Sequence, residues 1–596
     1  MLLYLNVSEI YNEVERNDVM DNQIIKTVVL SSLYKAFPEV DPENSERSTF
    51  SCFKNEPLSF QFGFKLALQD GTVSAPFNLV VETELPISLY TEGTVPVSQT
   101  TDTKLTENYR AGLFYDILYP KKVNPKIETK CSWWLKLDFD DDTNKLSASV
   151  DSWKFAWFTV NEDGKTLKPG NYKIKLKLYS RRSGNLLEEN EVNVEVIDAK
   201  LPKQTFIHTR WIHYDCLCDV YNVEMFSERF WEIFRSFVKT AVKNGQNMLL
   251  TPMFTPPLDT PIGHYRKTAQ LVGVEVNNGK YSFDFSLLKR FIDEALSCGV
   301  TYFEHSHLFT QWGATSAPKI MATVDGKYKR IFGWDTKASG KKYGDFLKAY
   351  IPQLLEFMDS LGLGDRILFH ISDEPTDKMI GDYRKAKAAE ADLIKGRMCG
   401  DALSHYEFYE DGTVTTPIVC TDSIHNFFGK CDNLWAYYFG SHCDKGMSNS
   451  KLTCSNERNR FLGVRLYVHN VKGFLHWGYI YYYDQLSQGV ADPKTDTCFY
   501  EGSAPGTSFI VYPGTDGTCL QSVRQKVFYE GINDMRALQA LEKLAGRKAT
   551  DEFVKEYYGD VDFYTPAGSE DKLLDFREAL NKKVKQIKEN QSKKGN

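Results

Sequence analysis

A chain of 596 residues is too long for one hydrophobic core, and its 42% apolar and 25% charged residues are those of a globular protein of about two to four domains. A formal net charge of −7 supplies no electrostatic attraction to nucleic acid or to an anionic membrane, so neither is expected as a partner. No stretch approaches the roughly 20 apolar residues that span a bilayer, which excludes insertion through a membrane helix.

Residues 1–18 turn acidic at once, lack a basic n-region and show no small-residue cleavage site, so no signal peptide is read there. The protein is expected in the cytoplasm, or outside it if a leader has been removed. The twelve cysteines are scattered without a small-domain framework, and Cys431, Cys443 and Cys454 lack zinc-ligand spacing. Reduced thiols and no structural metal are expected.

Residues 1–200 read as β. Short alternating runs such as Phe60-Gln61-Phe62-Gly63-Phe64 and Tyr172 to Leu178 are separated by turn clusters at Gln69-Asp70-Gly71 and Lys168-Pro169-Gly170-Asn171. This predicts an N-terminal antiparallel β-sandwich. Asp138 to Asn144 alternates acids like a calcium loop. Thr143 and Ser149 stand where such a loop needs Gly and Glu, so a solvated hairpin turn is the better reading.

Near Asp198 the pattern changes, and all eleven histidines lie between His208 and His476. Strand-like and helix-like stretches now alternate. The candidate strands are Thr205–Ile212, Asn247–Met253, Val300–Phe303, Ile367–Ile371, Arg397–Cys399, Pro417–Cys420, Leu434–Phe439 and Gly473–Tyr479. Between the first two, Ser227 caps a helix with apolar residues at a 3.6 period, and Gly245 ends it. Eight strands with intervening helices predict a (β/α)8 TIM barrel over 201–525, followed by a C-terminal helical segment over 526–596.

The C-terminal ends of barrel strands carry the site in this architecture. Read in order, those ends give Trp211, His213 and Asp215; Asp259; Glu304, His307 and Trp312; Asp373 and Glu374; Trp435 and Tyr437; His476, Trp477 and Tyr479. Aromatic rings for an apolar sugar face, interleaved with donors and acceptors for hydroxyls, suit a carbohydrate. Each residue alone is more simply core or packing; their coincidence at one rim carries the reading. Trp477 or Trp435 is the expected stacking platform.

Asp373-Glu374 lies in His370-Ile371-Ser372-Asp373-Glu374-Pro375, where a strand ends. Successive strand residues point to opposite faces, so both carboxyls enter one pocket only if the strand has stopped at Asp373, as Pro375 suggests. The plainer reading is an ion-paired or helix-capping pair. Ordinary glycosidases place two carboxyls roughly 5–9.5 Å apart across the sugar. Adjacent residues suit substrate-assisted catalysis better, with the sugar's 2-acetamido oxygen as nucleophile. One carboxyl then protonates the leaving oxygen and the other binds the acetamido N–H.

The segments WIHYDCL, TPMFTPPLDT, HLFTQWGA, HISDEP, LWAYY, RNRFLG, GFLHWGY and FIVYPG occur in that order, and together the chain resembles glycoside hydrolase family 123. The resemblance covers about residues 80 to 540. It implies an N-terminal β-sandwich, a catalytic barrel and no cofactor. It also implies a retaining exo-β-N-acetylgalactosaminidase releasing terminal β-linked GalNAc, as from glycosphingolipid glycans, through an oxazolinium intermediate. Carried over by motif, Glu374 is the acid/base and Asp373 orients the acetamido group. Glu374 is then expected to be held protonated by a raised pKa and Asp373 to work ionised. The chain departs from the motif at Ile480, where the family often has Asn. Two rival readings stay open. One is a conventional two-carboxylate hydrolase on another glycan, with Asp215, Asp259 or Glu304 as second carboxylate. The other is a non-catalytic carbohydrate-binding protein.

Overall fold

The computed structural model describes residues 25–594 except 43, 67–73, 76, 98–110, 122–131, 134–147, 150–151, 181–182, 312, 376–377, 389–390, 441–445 and 500–502. The candidate turn Asp138–Asn144 and the candidate site residue Trp312 lie outside the described residues. Two compact units divide the chain, one from within 1–52, 57–92 and 120–196, the other from within 53–56, 93–119 and 197–596.

The first unit is antiparallel β. Strands Ile25–Ser31, Leu58–Leu66, Lys154–Val160 and Ile87–Val97 pair in that order, and Thr49–Phe53, Leu186–Ile197, Gly170–Ser180 and Phe77–Glu82 form a second sheet. Alternation builds the core. Ile174, Leu176 and Leu178 are buried while Lys173, Lys175 and Lys177 face outward. These side chains meet Phe60, Phe62, Phe64 and Phe158 of the other sheet in one apolar cluster. Phe60 and Phe158 stack at 4.9 Å. This is the sandwich that the sequence predicts.

The second unit contains a closed barrel of eight parallel strands. They are β1 (Ile207–Ile212), β2 (Met248–Thr251), β3 (Tyr302–His305), β4 (Ile367–Phe369), β5 (Met398–Leu403), β6 (Thr416–Cys420), β7 (Trp435–Tyr437) and β8 (Gly473–Ile480). β8 pairs back on β1, with a register shift between Arg210↔His476 and Ile212↔Ile480. Helices α1 (Tyr214–Tyr221), α2 (Glu228–Lys243), α3 (Ser286–Ser297) and α4 (Lys341–Ser360) connect the early strands. Ser227 caps α2, its hydroxyl accepting from the Phe230 N–H at 3.3 Å. Gly245, at φ +84°, follows the helix where a side chain would meet the Tyr529 ring. After β8 come α5 (Val523–Ala545), α6 (Arg547–Tyr558) and α7 (Glu570–Lys594). Arg577 of α7 bridges Glu56 and Asp534 in a buried cluster.

Two features differ from expectation. The loops after β2 and β3 contribute strands Gly273–Asn277, Lys280–Asp284, Ile320–Val324 and Lys327–Phe332 to a separate four-stranded sheet. Their hairpins turn at Asn278-Gly279 and Asp325-Gly326, all with positive φ. Those two dipeptides are strong hairpin signals, and they were legible in the sequence. β4 is also two residues shorter than predicted, for a reason that lies in the site. Among the described residues no helix is long and apolar enough to cross a membrane.

Candidate active site

Strand parity decides which rim residues face inward. Trp211, Leu250, Leu368, Ile418, Tyr437 and Leu475 share one barrel-interior cluster, with Trp477 packed against it. Their sequence neighbours point outward.

β4 ends at Phe369 because its next backbone donors are taken by a side chain. The Asp401 carboxylate, on β5, accepts from the N–H of Ile371 at 3.0 Å and of Ser372 at 3.3 Å. The Tyr383 hydroxyl donates to the same carboxylate. The chain then leaves the ladder, and Glu374 sits in the left-handed region at φ +38°. That conformation is costly for a residue with a Cβ and frees the pair from strand alternation. Asp373 is half-buried and Glu374 is exposed, accepting a hydrogen bond from the Tyr437 hydroxyl.

Burial pushes the Asp373 carboxyl well above the usual carboxylate range. Glu374, Asp259 and Asp401 add to the shift, and His370 opposes it. The sequence reading expected the raised carboxyl at Glu374; the structure raises that of Asp373.

A polar network lies behind the pair. Glu304, wholly buried, accepts from Trp211 Nε1 and His370 Nε2, both at 2.9 Å, and from the Thr209 hydroxyl. The other nitrogen of His370 faces Asp401 at 3.5 Å. Burial alone would lower the His370 imidazolium. Hydrogen bonds to Asp401 and Glu304 outweigh it and push the pKa up to about 9. His307 stacks on His370 at 4.7 Å, and Trp211 meets both rings edge-on. Burial and the neighbouring His370 charge drive His307 well below its ordinary value, so it is neutral, with Nδ1 unpartnered.

On the β1 side, Arg266 grips Asp215 through two 2.7 Å hydrogen bonds and donates to His213 Nδ1 at 3.1 Å. Burial raises the Asp215 carboxyl, but the Arg266 guanidinium wins and holds it low. His213 faces the Trp477 carbonyl at 3.0 Å through its other nitrogen, and burial with the Arg266 charge lowers it to about 3. Arg266 is a site-shaping residue that the sequence reading missed.

The remaining candidates separate by burial and by depth along their strands. Trp477 is partly exposed and packs edge-on against Tyr481 at 5.2 Å. Trp435, expected as a platform, is wholly buried beneath Gly473, where even a methyl group would strike its ring. His476 and Tyr479 point away from the interior. His476 packs on Tyr438, and the Tyr479 hydroxyl accepts from Gln525 of α5 at 3.1 Å. None of these three offers a free face to a ligand. Ile480 is fully buried and bridges to Phe509, so the departure from the motif does not reach the mouth. Of the rival second carboxylates, Asp215 and Glu304 are buried with their oxygens engaged, and Asp259 is half-buried, with burial pushing its carboxyl up against the opposing Arg266 charge.

The family description "Glycoside hydrolase 123, catalytic domain" matches residues 211–541, more than half of the chain. This chain belongs to glycoside hydrolase family 123. Membership makes the protein a glycoside hydrolase, which acts on carbohydrate. A family 123 glycoside hydrolase from Clostridium perfringens, whose structure was described for glycolipid glycan hydrolysis, is similar at 13% identity with a TM-score of 0.65. That similarity covers 95% of this chain and 98% of that one, and it shows the shared fold. β-Glucuronidases from Bacteroides uniformis (12% identity, TM-score 0.28, covering 89% of this chain and 51% of that one) and Ruminococcus gnavus (10%, 0.30, 79% and 65%) are too distant to carry an argument. No curated protein matches the chain.

Proposed function

We propose that this family 123 hydrolase is a retaining exo-β-N-acetylgalactosaminidase acting on terminal β-linked GalNAc of glycolipid-type glycans, with the sugar's acetamido oxygen as nucleophile. The observation that carries the reading is the split environment of two adjacent carboxyls, Asp373 half-buried among other carboxyls and Glu374 exposed beside the Tyr437 hydroxyl. A half-buried carboxyl beside the sugar suits the acetamido group. An exposed one at the mouth suits a leaving oxygen whose aglycone extends into solvent.

In the free enzyme burial and the neighbouring Glu374 favour the neutral form of Asp373. An acetamido N–H arriving at Asp373 is a donor and favours the carboxylate there. The proton is then needed at Glu374, which delivers it to the glycosidic oxygen as the acetamido oxygen attacks C1. The Asp373 charge balances the oxazolinium ring, and Glu374 next takes a proton from the water that opens it. His370, held charged between Glu304 and Asp401, keeps Asp373 from staying neutral when the positive ring forms. His213, His307, Tyr437 and Trp477 line the sugar, with Trp477 the stacking face.

A panel of aryl β-glycosides of GalNAc, GlcNAc, galactose and glucose tests this. GalNAc turnover should lead, and a thiazoline analogue of GalNAc should bind more tightly than substrate. Equal rates on GalNAc and galactose would remove the mechanism, because galactose has no acetamido group. The conventional two-carboxylate reading keeps one supporting observation, the Asp259 carboxyl, which no hydrogen bond or ion pair engages among the described residues.

A further inference from the structure

Asp259 is placed with unusual care for a residue in a loop. Its backbone lies in the left-handed region at φ +51°. Its N–H donates to Gln311 Oε1 at 2.9 Å, and its carbonyl accepts from Ser487 Oγ at 2.8 Å. One residue earlier, the Leu258 carbonyl accepts from Arg266 at 3.3 Å. The loops after β3 and β8 therefore hold this one position, and Arg266 of its own loop holds the residue before it. The carboxylate itself has no hydrogen-bond or ion-pair partner among the described residues. Gln311 is 5% exposed, and its Nε2, on the amide that holds Asp259, is also unpartnered.

The neighbourhood is that of the proposed sugar. Ser487, which holds the Asp259 carbonyl, meets the Tyr481 hydroxyl at 3.0 Å, and Tyr481 is the ring packed edge-on against Trp477. A sugar lying on Trp477 presents its equatorial hydroxyls outward from the ring edge. Asp259 is also near enough to Asp373 to raise it. Three carboxyls at one mouth repel one another and leave acceptors without donors. A polyol supplies donors.

We propose that Asp259 is a substrate-binding residue whose carboxylate accepts hydrogen bonds from ring hydroxyls of the sugar undergoing cleavage, and so selects among epimers. The proposal deepens the reading above, resting on its assignment of the mouth to a single terminal sugar. It differs from the rival in which Asp259 is a nucleophile.

The test uses the aryl β-glycoside that the wild type turns over fastest, whichever sugar that is, together with its 3-, 4- and 6-deoxy analogues. Asp259→Asn keeps the shape and tolerates the left-handed backbone, and Asp259→Ala removes the acceptor. For Asp259→Ala, kcat/KM should fall by about 10- to 100-fold, as for one hydrogen bond to a charged group. Deleting one particular hydroxyl should cost the wild type a similar factor and cost Asp259→Ala almost nothing, with an unchanged melting temperature for Asp259→Asn. Deoxy analogues that lose equally in wild type and variant would overturn the proposal. So would trapping of Asp259 by a 2-fluoro sugar. A leading sugar other than GalNAc would sink the GalNAc reading and leave this comparison fully informative.

Discussion

The two units bury opposite things. The sandwich core is aromatic and aliphatic throughout, built from residues such as Phe60, Phe62, Ile174 and Val194. The barrel, at the level of its mouth, buries Glu304, His305, His307, His370 and Asp401, each no more than 2% exposed. An apolar core of the right volume is stable and chemically inert. A buried polar network is costly unless every member is matched, and it makes one geometry far better than its alternatives. The comparison teaches where this chain gives up stability for a rigid, charged floor beneath Asp373.

The largest break in that comparison should come at the mouth. Glu374→Gln is expected to lose a factor on the order of 10²–10⁴ on poor leaving groups and less on an activated aryl group, with an unchanged melting curve. A uniform loss across leaving groups would deny Glu374 the acid role. Glu304→Ala should affect both properties, because it leaves His370, Trp211 and Thr209 facing an empty site. A destabilisation of about 3–5 kcal/mol by denaturant unfolding is expected, with a loss of activity. Glu304→Gln should recover part of the stability and little of the rate.

A third test uses pH. The folded pKa of His370, about 9, lies above its ordinary 6.5. The stability it confers is therefore complete below pH 6.5 and is lost as pH rises through 9. That loss is on the order of 3 kcal/mol, and His370→Gln should flatten this alkaline limb. An alkaline limb unchanged in the variant would show that His370 is not held charged. The smallest effect should come from the sandwich. Ile174→Val should cost about 1 kcal/mol and leave kcat unchanged.

What the sequence made legible follows from how local each signal is. Alternation around Ile174 and the 3.6 period from Phe230 to Ala241 are contained within single elements, and the sandwich, the barrel and the cap at Ser227 follow from them. The end of β4 before Asp373-Glu374 was visible in Pro375. The side chain that shortens β4, Asp401, stands some thirty residues away and gave no local sign. Arg266 was equally silent, since its partners His213 and Asp215 stand some fifty residues earlier, at the start of α1. Trp435, His476 and Tyr479 were misread for a simpler reason. The rim was read by residue type: the two-residue period along β8 already set His476 apart from Trp477, Trp435 shares the face of Tyr437 but lies at the start of β7, away from the mouth, and Tyr479 follows the register shift against β1.

The seam between β1 and β8 has a consequence for how the enzyme is made. Thr209 and Leu475 are hydrogen-bonded neighbours in the finished barrel, yet the ribosome emits them far apart in time. Until β8 arrives, the open edges of β1 and β7 are exposed strands beside a half-solvated Glu304 and His370, a state prone to pair with other chains. Fragments ending before Gly473 should therefore aggregate rather than retain partial activity, and destabilising substitutions at the seam should show first as lost yield.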